Sequence, residues 1–161
     1  MKTSRFYVFL LVILGLVVPQ WACELSLEDD ADSNSLTVLF ENGSDSQYTI
    51  TGIQLRPRGS MTNLTVPTTT WTPNILNDRS LAPGETIMLD LEIPNREWSQ
   101  YKLTVVDGNG TSVVVAPSDE ATNEMSISHW GSDQRTVSVS VKYNTVLKTI
   151  YVSGWSDFAG I

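Results

Sequence analysis

A single cysteine, a single histidine, five tryptophans and 18 carboxylates are what this chain offers for chemistry. Nucleophilic catalysis needs a nucleophile, a base and a group that orients the base. His129 is the sole histidine, and no G-x-S-x-G elbow surrounds any serine. His129 also keeps step with Met125 and Ile127, which reads as a packed or rim position. Zinc sites of the usual kind want several Cys and His ligands, and Cys23 with His129 supplies one of each. No P-loop, dinucleotide fingerprint or C-x-x-C-H haem attachment is present. Asp30, Asp32 and Asn34 have the spacing of the first three EF-hand ligands, with Glu41 at the twelfth position. Ser35, however, stands where that loop needs a glycine for its sharp turn. Paired carboxylates could hydrolyse a glycoside, but no motif marks one pair out. The chain therefore reads as non-enzymatic, with no catalytic residues, no metal and no cofactor.

The indoles point to contact rather than catalysis. Trp71 lies in an irregular, threonine-rich stretch, and Trp155 lies near the C-terminus. Large amphipathic rings of this kind favour interfaces and sugar stacking, so these two are the candidate partner contacts. Partial burial in a core is the competing reading for each. Asn42, Asn63 and Asn109 begin N-x-[ST] sequons, and two of them fall in turns, where Asn is favoured anyway.

Cys23 belongs to a different argument. Lys2 and Arg5 flank the start of an apolar run, Phe6 to Val18, and Pro19, Gln20, Trp21 and Ala22 lead to the cysteine. This is an export leader, with three possible fates. A lipoprotein signal peptidase could cut before Cys23 and lipidate it; Ala22 suits that, but Gln20 and Trp21 do not. Ordinary signal peptidase could cut after Ala22, although Gln20 is poor at the third position back. Uncut, the segment would be a transmembrane helix. Phe6 to Cys23 would cover about 27 Å at 1.5 Å per residue, at the short end of a bilayer span. Trp21 would sit at the outer interface, and Lys2 and Arg5 would stay cytoplasmic. Cys23 is thus the candidate lipid anchor, and the membrane is the first expected partner. The β domain is expected on the periplasmic or extracellular side.

All 18 acidic residues follow Cys23, whereas two of the ten basic ones precede it, so the exported part carries ten net negative charges. Binding phosphate needs a basic surface, which argues against nucleic acid. One cysteine cannot form an internal disulfide, so stability must come from apolar packing.

Residues 1–23 form the leader and 24–34 an acidic, serine-rich linker without apolar periodicity. Residues 35–161 form one domain, in which the apolar period is two rather than 3.6. Leu36, Val38 and Phe40 alternate with their neighbours. Tyr48 and Ile50 share one phase and Ile53 and Leu55 the other, which predicts a bulge at Thr51-Gly52. Ile87 to Leu91, Tyr101 to Val105, Thr111 to Val115, Met125 to His129, Val137 to Val141 and Leu147 to Val152 continue the series. Asn42-Gly43, Pro83-Gly84, Asp107-Gly108-Asn109-Gly110 and Asn144-Thr145 are the turns between them. About eight short strands with frequent turns predict an all-β fold, an Ig-like antiparallel β-sandwich preceded by one N-terminal hydrophobic helix.

The stretch from about Leu36 to Val115 resembles a widespread family of small exported bacterial β domains, often carried behind lipoprotein signals. The matching features are Glu41-Asn42-Gly43-Ser44, the strand with Ile50, Ile53 and Leu55 running to Pro57, then Trp71, Asn74 and Leu76. Leu81-Ala82-Pro83-Gly84-Glu85 and Tyr101 to Gly110 complete the set. The resemblance covers about half of the chain and implies fold and location, with no activity to carry over. The expected role is a membrane-anchored structural or interaction module, an accessory subunit on a larger membrane or envelope complex. A carbohydrate- or peptide-binding module using exposed tryptophans is the alternative. Intact-mass measurement of the native protein separates an acylated Cys23, an intact Met1 leader and a plain cut at Ala22.

Overall fold

The computed structural model describes residues 34–60, 70–118 and 124–159. Cys23, the leader and the expected N-terminal helix lie outside the described residues. Eight strands form two four-stranded sheets: β1 Ser35–Asn42, β2 Thr49–Ser60, β3 Thr86–Glu92, β4 Glu97–Val106, β5 Ser112–Val115, β6 Ser126–Ser128, β7 Gln134–Asn144 and β8 Thr149–Ala159. The first sheet has the order β3-β1-β7-β8. In the second, β4 pairs β2 along one edge and β5 and β6 along the other. All pairings are antiparallel except β1 with β7, which is parallel.

The alternating apolar residues point where the period requires. Leu36, Val38 and Phe40 of β1, Ile87, Leu89 and Leu91 of β3, and Val137, Val139 and Val141 of β7 meet Ile50, Ile53, Leu55, Tyr101, Leu103 and Val105 of the second sheet in one buried cluster. Phe40 meets Tyr101 edge-on, with ring centroids 5.5 Å apart. The bulge expected at Thr51-Gly52 is present as a register shift between Ile50 and Gly52, and it keeps both apolar phases of β2 on the core side.

Two motifs that are only turn signals in the sequence meet in space. Ala82-Pro83-Gly84-Glu85 closes with Glu85 N–H donating to the Ala82 carbonyl, and Gly84 takes φ 84°, the left-handed position a type II turn requires. Gly84 N–H then donates to the Asn42 carbonyl, and Asn42 N–H to the Glu85 carbonyl. The fully buried Asn42 side chain donates through Nδ2 to the carbonyls of Tyr48 and Leu81, each at 2.9 Å. Next to it, Gly43 N–H donates to the Val139 carbonyl, and a Cβ at Gly43 would lie 2.5 Å from Ser140 Oγ. One corner thus joins the end of β1, the entry to β2, β7 and the 81–85 turn.

The last strand differs from expectation: it begins at Thr149 rather than Leu147 and runs on to Ala159. Asn144 Oδ1 accepts the N–H groups of both Val146 and Leu147, and Lys148 takes φ 54°. That side-chain cap holds residues 145–148 in the turn. The strand's second half follows an irregularity between Ser138 and Ser140 of β7, which breaks the simple alternation.

Asn42→Ala leaves the buried Tyr48 carbonyl without a donor and the Leu81 carbonyl with Ile50 N–H alone. An orphaned buried carbonyl costs about 1–3 kcal/mol, so urea unfolding of the full chain should show a loss of that size. A loss below about 0.5 kcal/mol would show that the corner holds without its amide.

Candidate functional site

Three clusters of polar or aromatic side chains stand out, and each is built by strand register. The first lies on the outer face of the second sheet. On β4, Trp98, Gln100 and Lys102 alternate with the inward Tyr101 and Leu103, and the ladder sets Arg56 opposite Gln100 and Gln54 opposite Lys102. Arg56 Nη2 donates to Gln100 Oε1 at 2.7 Å. Trp71 is brought here by a segment that runs along the edge of β2 without being a strand. Thr72 N–H donates to the Leu55 carbonyl and Ile75 N–H to the Ile53 carbonyl. Thr72 Oγ1 and Asn74 Oδ1 in turn accept the N–H groups of Leu55 and Ile53. Half-buried, the Trp71 ring has the Arg56 guanidinium carbon 4.6 Å and the Lys102 ammonium 4.7 Å from its centroid. Arg58 stacks on the buried Trp98 at 5.2 Å. Cations over indole faces attract through the ring quadrupole. Trp71 is therefore engaged by its own domain.

The second cluster closes one end of the sandwich. His129 is fully buried. Its Nδ1 faces the Ile93 carbonyl at 2.5 Å and its Nε2 faces Asp133 Oδ1 at 2.9 Å. Its backbone also pairs with Arg96 and Glu97. This packed position leaves neither ring nitrogen facing solvent. Nearby, Arg135 donates to the carbonyls of Ser128, Trp130 and Gln134 and lies 3.7 Å from Asp157 Oδ1. Asp157 Oδ2 accepts both N–H and Oγ–H of Ser128, so β8 is fastened to β6 across the two sheets. Trp155 packs against the core with its Nε1 buried. Burial pushes the Tyr101 phenol well above its usual range; the Asp157 carboxylate adds to this, and the Trp155 indole works against it. The Tyr101 hydroxyl, Trp155 Nε1 and Asp157 Oδ1 have no hydrogen-bond partner among the described residues.

The third cluster is the β7–β8 hairpin. Of the eight large hydrophobic side chains exposed among the described residues, Tyr143, Val146, Leu147, Tyr151 and Phe158 belong to it, with Val146 86% and Leu147 69% exposed. The others are Met88, Val114 and Trp130. Trp130, 49% exposed with the Arg96 guanidinium 6.0 Å from its ring, is the most open indole described. Sequence reasoning passed over it in favour of Trp71 and Trp155. The signal was the polar turn Trp130-Gly131-Ser132, where Gly131 takes φ 75° and no alternating strand pattern covers the ring.

Among the described residues, no group of three or more His, Cys, Asp or Glu side chains could hold a metal. No helix among them is long and apolar enough to cross a membrane. Comparison with family models, with curated proteins and with solved structures finds no match for this chain.

Two predictions follow from these side chains. Removing a buried hydroxyl whose contact with the Trp155 indole falls short of hydrogen-bond geometry relieves its desolvation penalty, so Tyr101→Phe should raise the urea midpoint of the full chain or leave it unchanged. A drop of more than about 1 kcal/mol would mean the hydroxyl makes a stabilising bond. The second concerns acid. Hydrogen bonds from Lys142 and then Ser140 lower the Asp45 carboxyl, and the backbone N–H groups of Thr111 and Asn109 lower that of Asp107. A folded-state value below the unfolded one stabilises the fold above the unfolded value of 3.8, and this is lost as pH falls through the lowered folded values. Stability measured by urea unfolding should therefore fall as pH drops below about 4, and less steeply in an Asp45→Asn/Asp107→Asn variant. Equal slopes would contradict this assignment.

Proposed function

We propose that this protein is a membrane-anchored extracytoplasmic interaction module, an accessory subunit that holds a β domain against a larger membrane or envelope complex. The observation that carries the reading is the separation of its two ends. The linker enters at Ser35, where β1 begins, and β1 runs parallel to β7 with Thr37 opposite Gln134. The β7 strand continues to Asn144, about 33 Å further on at 3.3 Å per residue. The exposed Val146 and Leu147 thus lie at the end of the first sheet away from the linker. An apolar tip so placed suits a protein partner beyond the anchoring bilayer better than that bilayer's own surface. The export leader, with Cys23 as its lipid-anchor candidate or the run Phe6 to Cys23 as a retained span, supplies the membrane end. In this reading the sandwich is Ig-like, with the parallel β1–β7 pair joining the first strand to the next-to-last. It is also akin to the exported bacterial β domains that the stretch Leu36 to Val115 resembles.

Gently solubilised membranes provide the test. The native chain should co-purify with other subunits, and a Val146→Ser/Leu147→Ser variant should lose them while its unfolding midpoint stays put. Recovery of the native chain free of other proteins would sink the reading.

Trp130 supports a second reading, a carbohydrate- or peptide-binding module, because it is the indole most open to a stacking ligand. Titration with cell-wall glycans should then quench the native fluorescence and leave a Trp130→Ala variant unchanged. An identical response in both would remove Trp130 from that role.

A further inference from the structure

An open strand edge is a template for another strand, and stable β proteins cover, charge or shorten their edges. Three of the four edges here are managed. The β2 edge is covered by Thr72, Asn74, Ile75 and the Ile50–Leu81 bridge. The β3 edge carries the exposed acids Asp90 and Glu92. The fourth strand position of the second sheet is broken into the short β5 and β6. The β8 edge differs. From Thr149 to Ser156 it has no charge and no proline. Its far half is fastened to β6 through Asp157 and Ser128. Its near half, Thr149–Ser153, pairs only with β7 among the described residues. That leaves about 17 Å of edge, at 3.4 Å per residue, with Tyr151 exposed at its centre.

We infer that Thr149–Ser153 pairs antiparallel with the same segment of a second copy, joining two four-stranded sheets into one across a two-fold axis at Tyr151. Self-complementarity selects this occupant: the edge is uncharged and proline-free from Thr149 to Ser156, so two like-charged domains meet on it without setting acid against acid. Centring on Tyr151 sets Thr149 opposite Ser153, and Lys148 opposite Gly154 rather than opposite a second lysine. The Tyr151 rings become a cross-strand aromatic pair, a favourable unit of sheet pairing. A head-to-tail contact would need a second open edge, and the described residues offer none. The contact is therefore isologous and closes at two copies. This inference stands apart from the accessory-subunit reading, which rests on Val146 and Leu147 at the tip.

Sedimentation equilibrium of the full chain in mild detergent tests it. The native chain should be a dimer, with backbone amides of Thr149–Ser153 exchanging more slowly as concentration rises. Tyr151→Lys sets like charges opposite each other on an exposed position and should raise the dissociation constant at least about tenfold. A matching Thr86→Lys on β3 should leave it unchanged. In a Cys23→Ser background, Tyr151→Cys should oxidise to a symmetric cross-link between copies, which decides the matter even if the lysine variant folds poorly. A monomer at every concentration would overturn the proposal. So would a dimer indifferent to Tyr151→Lys and without the cross-link, or vesicles that protect these amides while the chain stays monomeric.

Discussion

The fold turns on one amide. Asn42 ends β1, the strand that pairs with both β3 and β7, and its buried Nδ2 donates to the Tyr48 carbonyl and adds a second hydrogen bond to the Leu81 carbonyl, which also accepts Ile50 N–H. Buried carbonyls need donors, and at Tyr48, one residue before β2 begins, the ladder does not provide one, because the chain is leaving one sheet for the other. A side chain with two donors on one nitrogen can serve both carbonyls. The same residue's backbone N–H and C=O hold the 81–85 turn, and Gly43 beside it lets β7 approach closely. The crossover from the first sheet to the second is thereby fixed in register.

The device recurs wherever regular pairing stops. Thr72 and Asn74 replace a missing strand beside β2, Asn144 caps the β7–β8 turn, and Asp157 ties β8 to β6. In the 43–47 loop, Ser46 both donates to the Val141 carbonyl and accepts Val141 N–H, while Asp45 binds Lys142 and Ser140. Short polar side chains suit this work because they hold a donor or acceptor close to the main chain and have few rotors to order. A domain without an internal disulfide is thus cross-braced by hydrogen bonds from its loops to its strands. The polar residues most suggestive of chemistry, His129 and the Arg135–Asp157 pair, belong to this bracing.

What is left over is apolar and lies on one hairpin. Burial of the two inner faces consumes the alternating residues of β1, β3, β4 and β7. Tyr143, Val146, Leu147, Tyr151 and Phe158 have no such face to join, because β8 is at the margin of its sheet and the turn before it extends past the core. An acidic domain stays soluble through its charge, and that charge is sparse on this margin. The interaction readings above rest on this contrast between a charged body and an uncharged edge.

Strand number, the core-facing residues, the bulge at Thr51-Gly52 and the type II turn at Pro83-Gly84 are all local in origin. They depend on side-chain period and on the φ each residue permits, so the sequence alone determined them. The all-β class followed. Three matters needed the tertiary structure. The meeting of Asn42 with Leu81 depends on residues 39 positions apart, and no periodicity records it. Trp71, Trp130 and Trp155 are the same residue type, yet one is pinned between cations, one is open and one lies on the core. Their local sequence cannot set this, because burial is decided by what the rest of the chain packs over each ring. The strand that ends at an open edge is likewise a property of sheet order. Sheet order comes from the long-range pairing of β1 with β7, residues about a hundred positions apart along the chain, and local alternation is silent about such pairings.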